Sequence, residues 1–468
     1  MAEHVEVGDH ERPETTPGHR ISYLAGPSTV YDPSDPAYWD EALLKEEVER
    51  AFEICHGCRM CFKYCDSFPN LFKALDEKHH GDVRALTGGE RDGVMDDCFQ
   101  CKLCEVQCPY TPREGHEFKL DFPKLVHRYQ AIRWKKRGGK LREKVLGNPD
   151  LAAKMARASF GMANKMNRVA LHRWFMDKVL GVHPEAHLPD FASATFESWA
   201  VKSGRIAEAP GKEAVLFQTC FVQNNEPQIG KDTLEVLEKN GCATGCVKGL
   251  QCCGMPAWEH GDLDSVRKQA KANLDALMPH VEAGSKVIAI NPTCAMMLRR
   301  EYPELLEGED RERAKKLAEA VRDPGEFLWS IRNEPRADWT FQSSPGPIAY
   351  HAPCHLRAQA VGFKGRDLLR KIPGVTIASV MECCGHDGTY AMKSETYEAS
   401  KRVGQKAFAG MQAPLPSGET AQVWVSECPL AGLQFEQHAG KRALHPMTVL
   451  ARAYRKDGFP NPVPEETP

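Results

Sequence analysis

Residues 55–65 read CHGCRMCFKYC and residues 98–109 read CFQCKLCEVQCP. In both stretches, two, two and three residues separate successive cysteines, which is the spacing that wraps a cubane 4Fe-4S cluster. In two-cluster proteins of this kind, the fourth cysteine of a run binds the other cluster. The spacing therefore predicts one cluster on Cys55, Cys58, Cys61 and Cys108, and a second cluster on Cys98, Cys101, Cys104 and Cys65.

The competing interpretation of these runs is a pair of four-cysteine zinc sites. Such sites usually combine two separated Cys-x2-Cys pairs, whereas three closely spaced cysteines in each half match a cube corner by corner. The spacing therefore favours iron. Pro109 follows the last cysteine of the second run and Asp66 has that place in the first, which leaves the ligands unchanged.

Composition indicates where these cysteines operate. The chain has 468 residues, 18 cysteines and a formal net charge of -3. Its amino terminus lacks the apolar core of a signal peptide, and no apolar run approaches the roughly 18 residues that span a bilayer. We therefore expect a cytoplasmic protein, in which clustered thiols serve metal or redox chemistry rather than disulfides. The small net charge provides no overall field that would recruit nucleic acid.

The composition changes along the chain and predicts six segments. Residues 1–40 contain five prolines among polar residues and are predicted to be a disordered arm. Residues 41–122 hold both cysteine runs, preceded by a predicted helix with Leu44, Val48 and Phe52 on one face. The remaining predicted segments are a linker at 123–210, two α/β lobes at 211–340 and 341–458, and a disordered tail at 459–468.

The linker is strongly basic in its first part. Residues 123–178 contain fifteen Lys and Arg against three acidic residues, a local charge of +12. Apolar residues recur there at positions that fall on one narrow stripe of a helix: Leu151, Met155, Met162, Met166 and Val169. We expect a basic amphipathic helix, which either docks to anionic lipid or an acidic subunit, or packs within the protein with a solvated basic face.

The two lobes are predicted from a repeated order of strands and cysteines. Short apolar runs typical of buried parallel strands occur at 214–217, 287–290, 347–350, 375–380 and 423–425. Cys220 and Cys354 lie 134 positions apart, as do Cys294 and Cys428, and both lobes contain Cys-Cys-Gly. An internal repeat is therefore expected. Each copy offers four thiols, Cys220, Cys252, Cys253 and Cys294 in the first, and Cys354, Cys383, Cys384 and Cys428 in the second.

These eight thiols are expected at the carboxyl edges of the sheets, where open α/β folds bind ligands. Gly254 and Gly385 let the backbone approach such a site. Adjacent cysteines suit a multi-iron cluster, and zinc or no metal remains an alternative in either lobe. Cys242 and Cys246 are expected to be unpaired core thiols, and His351 and His355 either packing residues or hydrogen-bond partners of a cluster.

The double run with its long insert resembles the α-helical ferredoxin module of succinate dehydrogenase and heterodisulfide reductase. The twin Cys-Cys-Gly repeats, with matching stretches at 217–232, 350–355, 382–390 and 445–451, resemble the CCG-domain iron-sulfur oxidoreductases. That family includes heterodisulfide reductases and the C subunit of anaerobic glycerol-3-phosphate dehydrogenase. The resemblance implies an α+α/β fold, in which an α-helical ferredoxin module precedes two repeated α/β CCG lobes. The chain departs from the full CCG motif, because Asn291 and Ala431 replace its fifth cysteine.

No dinucleotide fingerprint, phosphate loop or nucleophile elbow occurs in the sequence, so a partner is expected to handle the substrate. The resemblance implies an iron-sulfur electron-transfer subunit of a flavin-dependent dehydrogenase complex, of the glycerol-3-phosphate or 2-hydroxyacid type. Its flavoprotein partner would supply electrons for a quinone or another carrier, and a membrane anchor or the inner face of the cell membrane would hold it peripherally. The alternatives are a thiol-disulfide reductase acting at a CCG cluster and a binding module with structural zinc.

Overall fold

The structure is a computed structural model that describes residues 21–463. Its amino-terminal region is helical, and no strand occurs among the described residues before Ala214. Asp40 caps the first helix by accepting hydrogen bonds from the amides of Ala42 and Leu43, and the helix confirms the predicted approach to Cys55. The helices are α1 (Glu41–Cys58), α2 (Ser67–Lys78), α3 (Gly88–Asp96), α4 (Leu103–Gln107) and α5 (Phe122–Arg137).

Residues 21–40 pack against this helical region, which differs from the disordered arm expected through residue 40. The guanidinium of Arg128 in α5 donates hydrogen bonds to the carbonyl oxygens of Ser28, Ala37 and Tyr38 at 2.8, 2.7 and 2.7 Å. Arg128 is fully buried. A single arginine therefore satisfies the backbone of a segment that forms little regular structure. Residues 1–20 and 464–468 of the expected arm and tail lie outside the described residues.

The basic linker is a succession of short helices, not the single helix that the stripe predicted. Phe160 and Gly161 have φ values of 50° and 85°, and this left-handed pair interrupts the helix. No helix of residues 21–463 has the length and apolarity needed to cross a membrane. The helices are α6 (Leu141–Leu146), α7 (Pro149–Ala158), α8 (Met162–Met166), α9 (Ala170–Leu180) and α10 (Phe196–Lys202).

The first lobe contains a four-stranded parallel sheet. Its strands β1 (Ala214–Phe217), β2 (Thr244–Cys246), β3 (Lys286–Ala289) and β4 (Val321–Arg322) stand in the order β2-β1-β3-β4. The strands expected at 214–217 and 287–290 are confirmed within one residue. The helices between and after them are α11 (Thr219–Asn224), α12 (Pro227–Lys239), α13 (Met255–Glu259), α14 (Leu263–Glu282), α15 (Pro292–Met296), a π-helical turn (Met297–Glu301), α16 (Tyr302–Leu305), α17 (Gly308–Ala320) and α18 (Pro324–Ile331).

The second lobe repeats this arrangement on a three-stranded parallel sheet. Its strands β6 (Ile348–His351), β7 (Ile377–Val380) and β8 (Val423–Ser426) stand in the order β7-β6-β8, so the first strand again lies between the second and third. The expected internal repeat is thereby visible in the topology. A separate antiparallel pair joins β5 (Ser343–Ser344) to β9 (Asn461–Pro462). The helices are α19 (Cys354–Gln359), α20 (Lys364–Leu369), α21 (Tyr397–Gln412), α22 (Pro429–Ala439) and α23 (Pro446–Ala453).

Buried charges join the helical region to the first lobe. Lys102, at the start of α4, pairs with Glu301, and Arg300 donates a hydrogen bond to Glu105 at 2.6 Å. Both Glu301 and Lys102 are almost entirely buried. This interface fixes the second cysteine run against the π-helical turn that follows Cys294.

Candidate functional site

The first set of four thiols comes together at the carboxyl end of α1. Cys55 and Cys58 lie in the last turn, which Arg59 ends with a left-handed φ of 57°, while Cys61 and Cys108 come from the next loop and the end of α4. Burial raises the pKa of Cys55 well above its usual value, and the nearby thiolates of Cys61, Cys108 and Cys58 raise it further. Because such repulsion between thiolates weakens with distance, these effects on the pKa indicate that the four sulfur atoms lie close together.

The second set combines Cys98, Cys101 and Cys104 with Cys65. Gln100 and Lys102 lie between these cysteines with φ values of 58° and 59°. Burial raises the pKa of Cys104 well above its usual value, and Cys101, Cys98, Cys61 and Cys65 add to that rise. The structure therefore brings Cys65 of the first run to the cysteines of the second run. Two sets of four thiols, each buried or partly buried, fit two 4Fe-4S clusters, because each such cluster takes four cysteine ligands.

The first lobe gathers its four cysteines at the carboxyl edge of its sheet. Cys220 follows β1, Cys252 and Cys253 follow β2, and Cys294 follows β3. Their thiols form a chain of hydrogen-bonded contacts that runs in that same order. A hydrogen bond from Cys253 lowers the pKa of Cys294, but burial and neighbouring thiolates raise it to about 11 overall. The four donors thus form one elongated group.

The second lobe has the same arrangement with Cys354 after β6, Cys383 and Cys384 after β7, and Cys428 after β8. Burial raises the pKa of Cys354 well above its usual value. The negative charges of four neighbours raise it further: Asp387, Cys101, Cys383 and Cys384. The amide of Gly385 donates a hydrogen bond to Cys383 Sγ at 3.3 Å. Gly385 has a φ of 76°, and an added Cβ would lie 2.0 Å from the Ser400 carbonyl oxygen, so only glycine fits here.

The positions that lack the fifth cysteine are occupied by structural residues. Asn291 accepts a hydrogen bond from the amide of Thr293 at 2.9 Å and so caps α15. Ala431 is fully buried in α22 and lines the small cavity between the thiols of the second lobe. Cys242 and Cys246, which were expected to be core thiols, are buried in the hydrophobic core of the first lobe.

Histidine 355 connects three parts of the molecule beside Cys354. One ring nitrogen, Nδ1, lies 2.9 Å from Oγ1 of Thr293 in the first lobe, and the other, Nε2, lies 2.8 Å from the carbonyl oxygen of Gln100. Nε2 also lies 2.9 Å from Oδ2 of Asp387. His351 is equally buried, and burial lowers its pKa to about 4. His355 therefore joins the modules by hydrogen bonds, and its expected role as a hydrogen-bond partner of a cluster stays a prediction.

The four sets of thiols form a row. Cys61 Sγ of the first set lies 3.8 Å from the carbonyl oxygen of Cys104 in the second set. After burial, the thiolate of Cys383 raises the pKa of Cys101 more than any other neighbour does, which links the second set to the second lobe. The thiolate of Cys428 raises the pKa of Cys294, which links the second lobe to the first lobe. The thiols of the second lobe therefore lie within the row, and the thiols of the first lobe lie at its end.

Two acidic residues beside the thiols were not identified as site residues from the sequence. Asp150 in α7 accepts a hydrogen bond from the amide of Cys252 at 2.8 Å, although it lies in the basic linker. Asp387 lies with Cys354 and His355 in a group whose ligand atoms are all within 4.8 Å of one another. Asp387 follows Cys-Cys-Gly-His directly, which is a signal within the sequence, whereas nothing in the local sequence marks Asp150.

Comparisons with known proteins agree with this division. Residues 54–111 match a family described as a 4Fe-4S dicluster domain, and residues 214–299 and 348–436 match a cysteine-rich domain. The C subunit of anaerobic glycerol-3-phosphate dehydrogenase from Escherichia coli is 30% identical over 414 residues, which cover 86% of this chain and 99% of that protein. Lactate utilization protein A of Geobacillus thermodenitrificans is 31% identical over 185 residues, 38% of this chain and 74% of that protein.

Proposed function

Because the chain belongs to the family of the C subunit of anaerobic glycerol-3-phosphate dehydrogenase, we propose that it is the electron-transfer subunit of a flavin-dependent dehydrogenase complex. Its substrate class is glycerol 3-phosphate or a 2-hydroxyacid, in line with the names of its relatives. A flavoprotein partner supplies the electrons, and a quinone or another carrier accepts them.

The row of thiol sets is the observation that supports this proposal. Successive sets adjoin one another along the row, from the end of α1 through the second lobe to the first lobe. The cavity between the thiols of the second lobe holds about 10 Å³, whereas the groove lined by Cys65 and Cys383 holds about 150 Å³. The cavity of the second lobe accommodates roughly one water molecule. A row in which successive sets of thiols adjoin one another suits the conduction of electrons.

Iron-sulfur clusters, when bound, would supply one-electron carriage. We assign one 4Fe-4S cluster to Cys55, Cys58, Cys61 and Cys108, and another to Cys98, Cys101, Cys104 and Cys65. The thiol sets of the two lobes hold one or two further iron-sulfur clusters, since an elongated group of four sulfurs with an adjacent pair suits several metals better than one tetrahedral ion. The chain itself keeps the thiols buried or partly buried and holds neighbouring sets close together.

The content of metal tests this assignment. The protein is purified without oxygen, and its iron and acid-labile sulfide are counted. We expect at least about eight iron atoms per chain from the two four-iron sites, and more when the lobes carry clusters. Electron paramagnetic resonance after reduction should show interacting clusters. A colourless protein, or one with zinc as its main metal, would refute the proposal.

The partner is tested by reduction of the loaded protein under anaerobic conditions. A flavoprotein dehydrogenase from the same organism is mixed with it, and glycerol 3-phosphate or lactate is added. We expect the visible absorbance of the clusters to bleach only when both flavoprotein and substrate are present. Omission of either one is the control. A fully loaded protein that remains oxidised with each substrate would contradict the proposed partner class.

A further inference from the structure

A cavity of about 280 Å³ lies where α5, α6, α13 and α14 meet. Its volume is close to the lower end of the range for ligand pockets, about 300–1,000 Å³, so the cavity suits a small ring system. We call it the α14 cavity. The side chains that decide its chemistry are Trp134, Glu143, Lys144, His260, Asp262 and Gln269.

The wall of this cavity contains a hydrogen-bond acceptor without a partner. Gln269 of α14 is the one polar residue of the wall that is buried, with 8% of its surface exposed. Its Oε1 accepts no hydrogen bond from any residue between 21 and 463. Buried polar atoms are nearly always paired, because an unpaired one costs free energy. A ligand that presents an O–H or N–H group to Gln269 would supply the missing partner.

The α14 cavity adjoins the first-lobe thiols, which lie at the end of the row. A Cβ added at Gly254, the residue after Cys253, would lie 3.2 Å from Gln269 Oε1, so this oxygen is next to the Cys-Cys-Gly backbone. One helical turn further along α14, Asn273 donates a hydrogen bond to the carbonyl oxygen of Cys252 at 3.3 Å. One face of α14 therefore contacts both the cavity and the cysteine pair.

The charges around the cavity favour a neutral ligand. Glu143 and Asp262 contribute carboxylates, and Lys144 is the one lysine or arginine in the wall. Burial lowers the pKa of His260, so this ring is uncharged at neutral pH. A phosphate or carboxylate substrate would therefore meet net negative charge. Trp134 adds an aromatic ring to the wall, and such rings pack well against other flat rings.

From these observations we propose that the α14 cavity binds a quinone-type carrier and that this carrier is reduced there. The inference rests on the function proposed above and adds the place where electrons leave the protein. A reduced carrier of this class has a flat ring and a phenolic hydroxyl, which would donate the hydrogen bond that Gln269 Oε1 lacks. A small disulfide, the acceptor of the alternative reductase, has no ring for Trp134 and yields only thiols, which are weak donors.

The reduction balances in electrons and protons. The quinone gains two electrons, which originate from the substrate that the flavoprotein oxidises, and two protons from solvent. Both of its C=O groups become C–O–H groups, and the hydroquinone leaves the cavity. Glu143 and His260 line the same cavity and are partly exposed, so they can pass protons between solvent and the ligand.

Reoxidation of the reduced protein tests the site. Iron-loaded protein is reduced with dithionite, freed of the excess, and mixed without oxygen with duroquinone, whose four methyl groups block addition to thiols. We expect a reoxidation rate that saturates with the concentration of duroquinone. Gln269→Met keeps the length of the side chain and should raise the half-saturating concentration at least about tenfold, because it removes a buried hydrogen bond to the ligand.

The chain offers a matched control and a second variant. Gln434 of α22 is 5% exposed and its Oε1 also lacks a partner within the described chain, but it does not line the α14 cavity. Gln434→Met should therefore keep the parental rate and half-saturating concentration. Trp134→Leu removes the ring from the wall and should raise the half-saturating concentration at least about threefold.

The outcomes separate this site from the function on which it rests. A loss confined to Gln269→Met and Trp134→Leu, with parental iron content and parental reoxidation by ferricyanide, which needs no binding site, supports the α14 cavity. Reoxidation by duroquinone that does not saturate, or that changes equally in Gln269→Met and Gln434→Met, overturns the site and leaves the electron-transfer proposal intact. A parent protein that binds no iron refutes the electron-transfer role and this inference with it.

Discussion

Lys102 and Glu301 form an ion pair between the second cysteine run and the first lobe, with side chains only 2% and 1% exposed. Burial raises the pKa of Glu301, but the charges of Lys102 and Arg300 outweigh burial and hold this pKa below its usual value. Removal of one partner would leave a buried charge without a counter-charge, at a cost of about 3–5 kcal/mol. We expect Glu301→Gln to lower the free energy of unfolding by that amount in anaerobic denaturation.

Two matched variants check this interpretation. Lys102→Met/Glu301→Leu removes both charges and should restore most of the lost stability, because apolar residues of similar volume often replace a buried pair at little cost. Glu304→Gln breaks the more exposed pair with Lys124, whose side chains are 26% and 43% exposed, and should cost at most about 1 kcal/mol. Equal losses from Glu301→Gln and Glu304→Gln would contradict the role of burial.

The crossing of Cys65 to the second set predicts a specific loss of metal. Cys65→Ser should abolish the resonance signal of the cluster that Cys98→Ser also abolishes, and about four iron atoms should be lost. Cys108→Ser should instead reproduce the spectrum of Cys58→Ser. Cys242→Ser is the control, because this thiol is buried outside all four sets. If Cys65→Ser matched Cys58→Ser, the crossed assignment would be wrong.

Two glycines with the same backbone conformation make a paired test. Gly385 and Gly249 have φ values of 76° and 75°, but an added Cβ meets the Ser400 carbonyl only at Gly385, while Gly249 has open space. Gly249→Ala should cost about 1–2 kcal/mol of unfolding free energy from its backbone alone. Gly385→Ala should cost more and should also reduce the metal content of the second lobe, because it displaces the Cys383–Cys384 pair. Similar effects of both variants would count against this.

The ring of His127 in α5 stacks on Trp258 with 3.4 Å between ring centres. Burial lowers the pKa of His127 to about 3. An unfolded chain protonates this histidine below about pH 6.5, whereas the native chain does not, so native stability falls as the pH decreases from there toward 3.

His127→Phe keeps an aromatic ring at this position and removes the proton uptake. Between about pH 7.5 and 5.5, we expect the variant to lose about 1.4 kcal/mol less unfolding free energy than the parent. Anaerobic urea titrations at both pH values measure this difference. Parallel pH profiles of parent and variant would show that His127 takes up no extra proton on unfolding.

The sequence contains the information for the two sheets and for the positions of their cysteines. Apolar runs such as 214–217 predict buried strands, because both faces of a parallel sheet are covered. A cysteine shortly after such a run, as at Cys220 and Cys354, is then expected at the carboxyl edge. These are local relationships, so they can be recognised without knowing which parts of the chain meet.

The contacts between distant parts could not be predicted in this way. Proline content suggests a disordered segment around residues 21–40, but Arg128, some ninety positions later, satisfies its carbonyl groups. The stripe of the linker has helical spacing, yet the chain turns at Phe160 and exposes most of it. The row of thiol sets likewise depends on His355 meeting Gln100 across 255 positions of the chain.

The π-helical turn at Met297–Glu301 contains one residue more than an ordinary helix would need. Two adjacent side chains of this turn contact different modules. Arg299 donates a hydrogen bond to Gln359 of the second lobe, and Arg300 donates one to Glu105 of the helical region. Loss of a single codon in this stretch would keep the reading frame and convert the π-helical turn into an ordinary α-helical turn, which moves Arg299 and Arg300 away from their present positions on the helix. Such a deletion would uncouple both modules at once, so natural length variation should be tolerated in surface loops but not here.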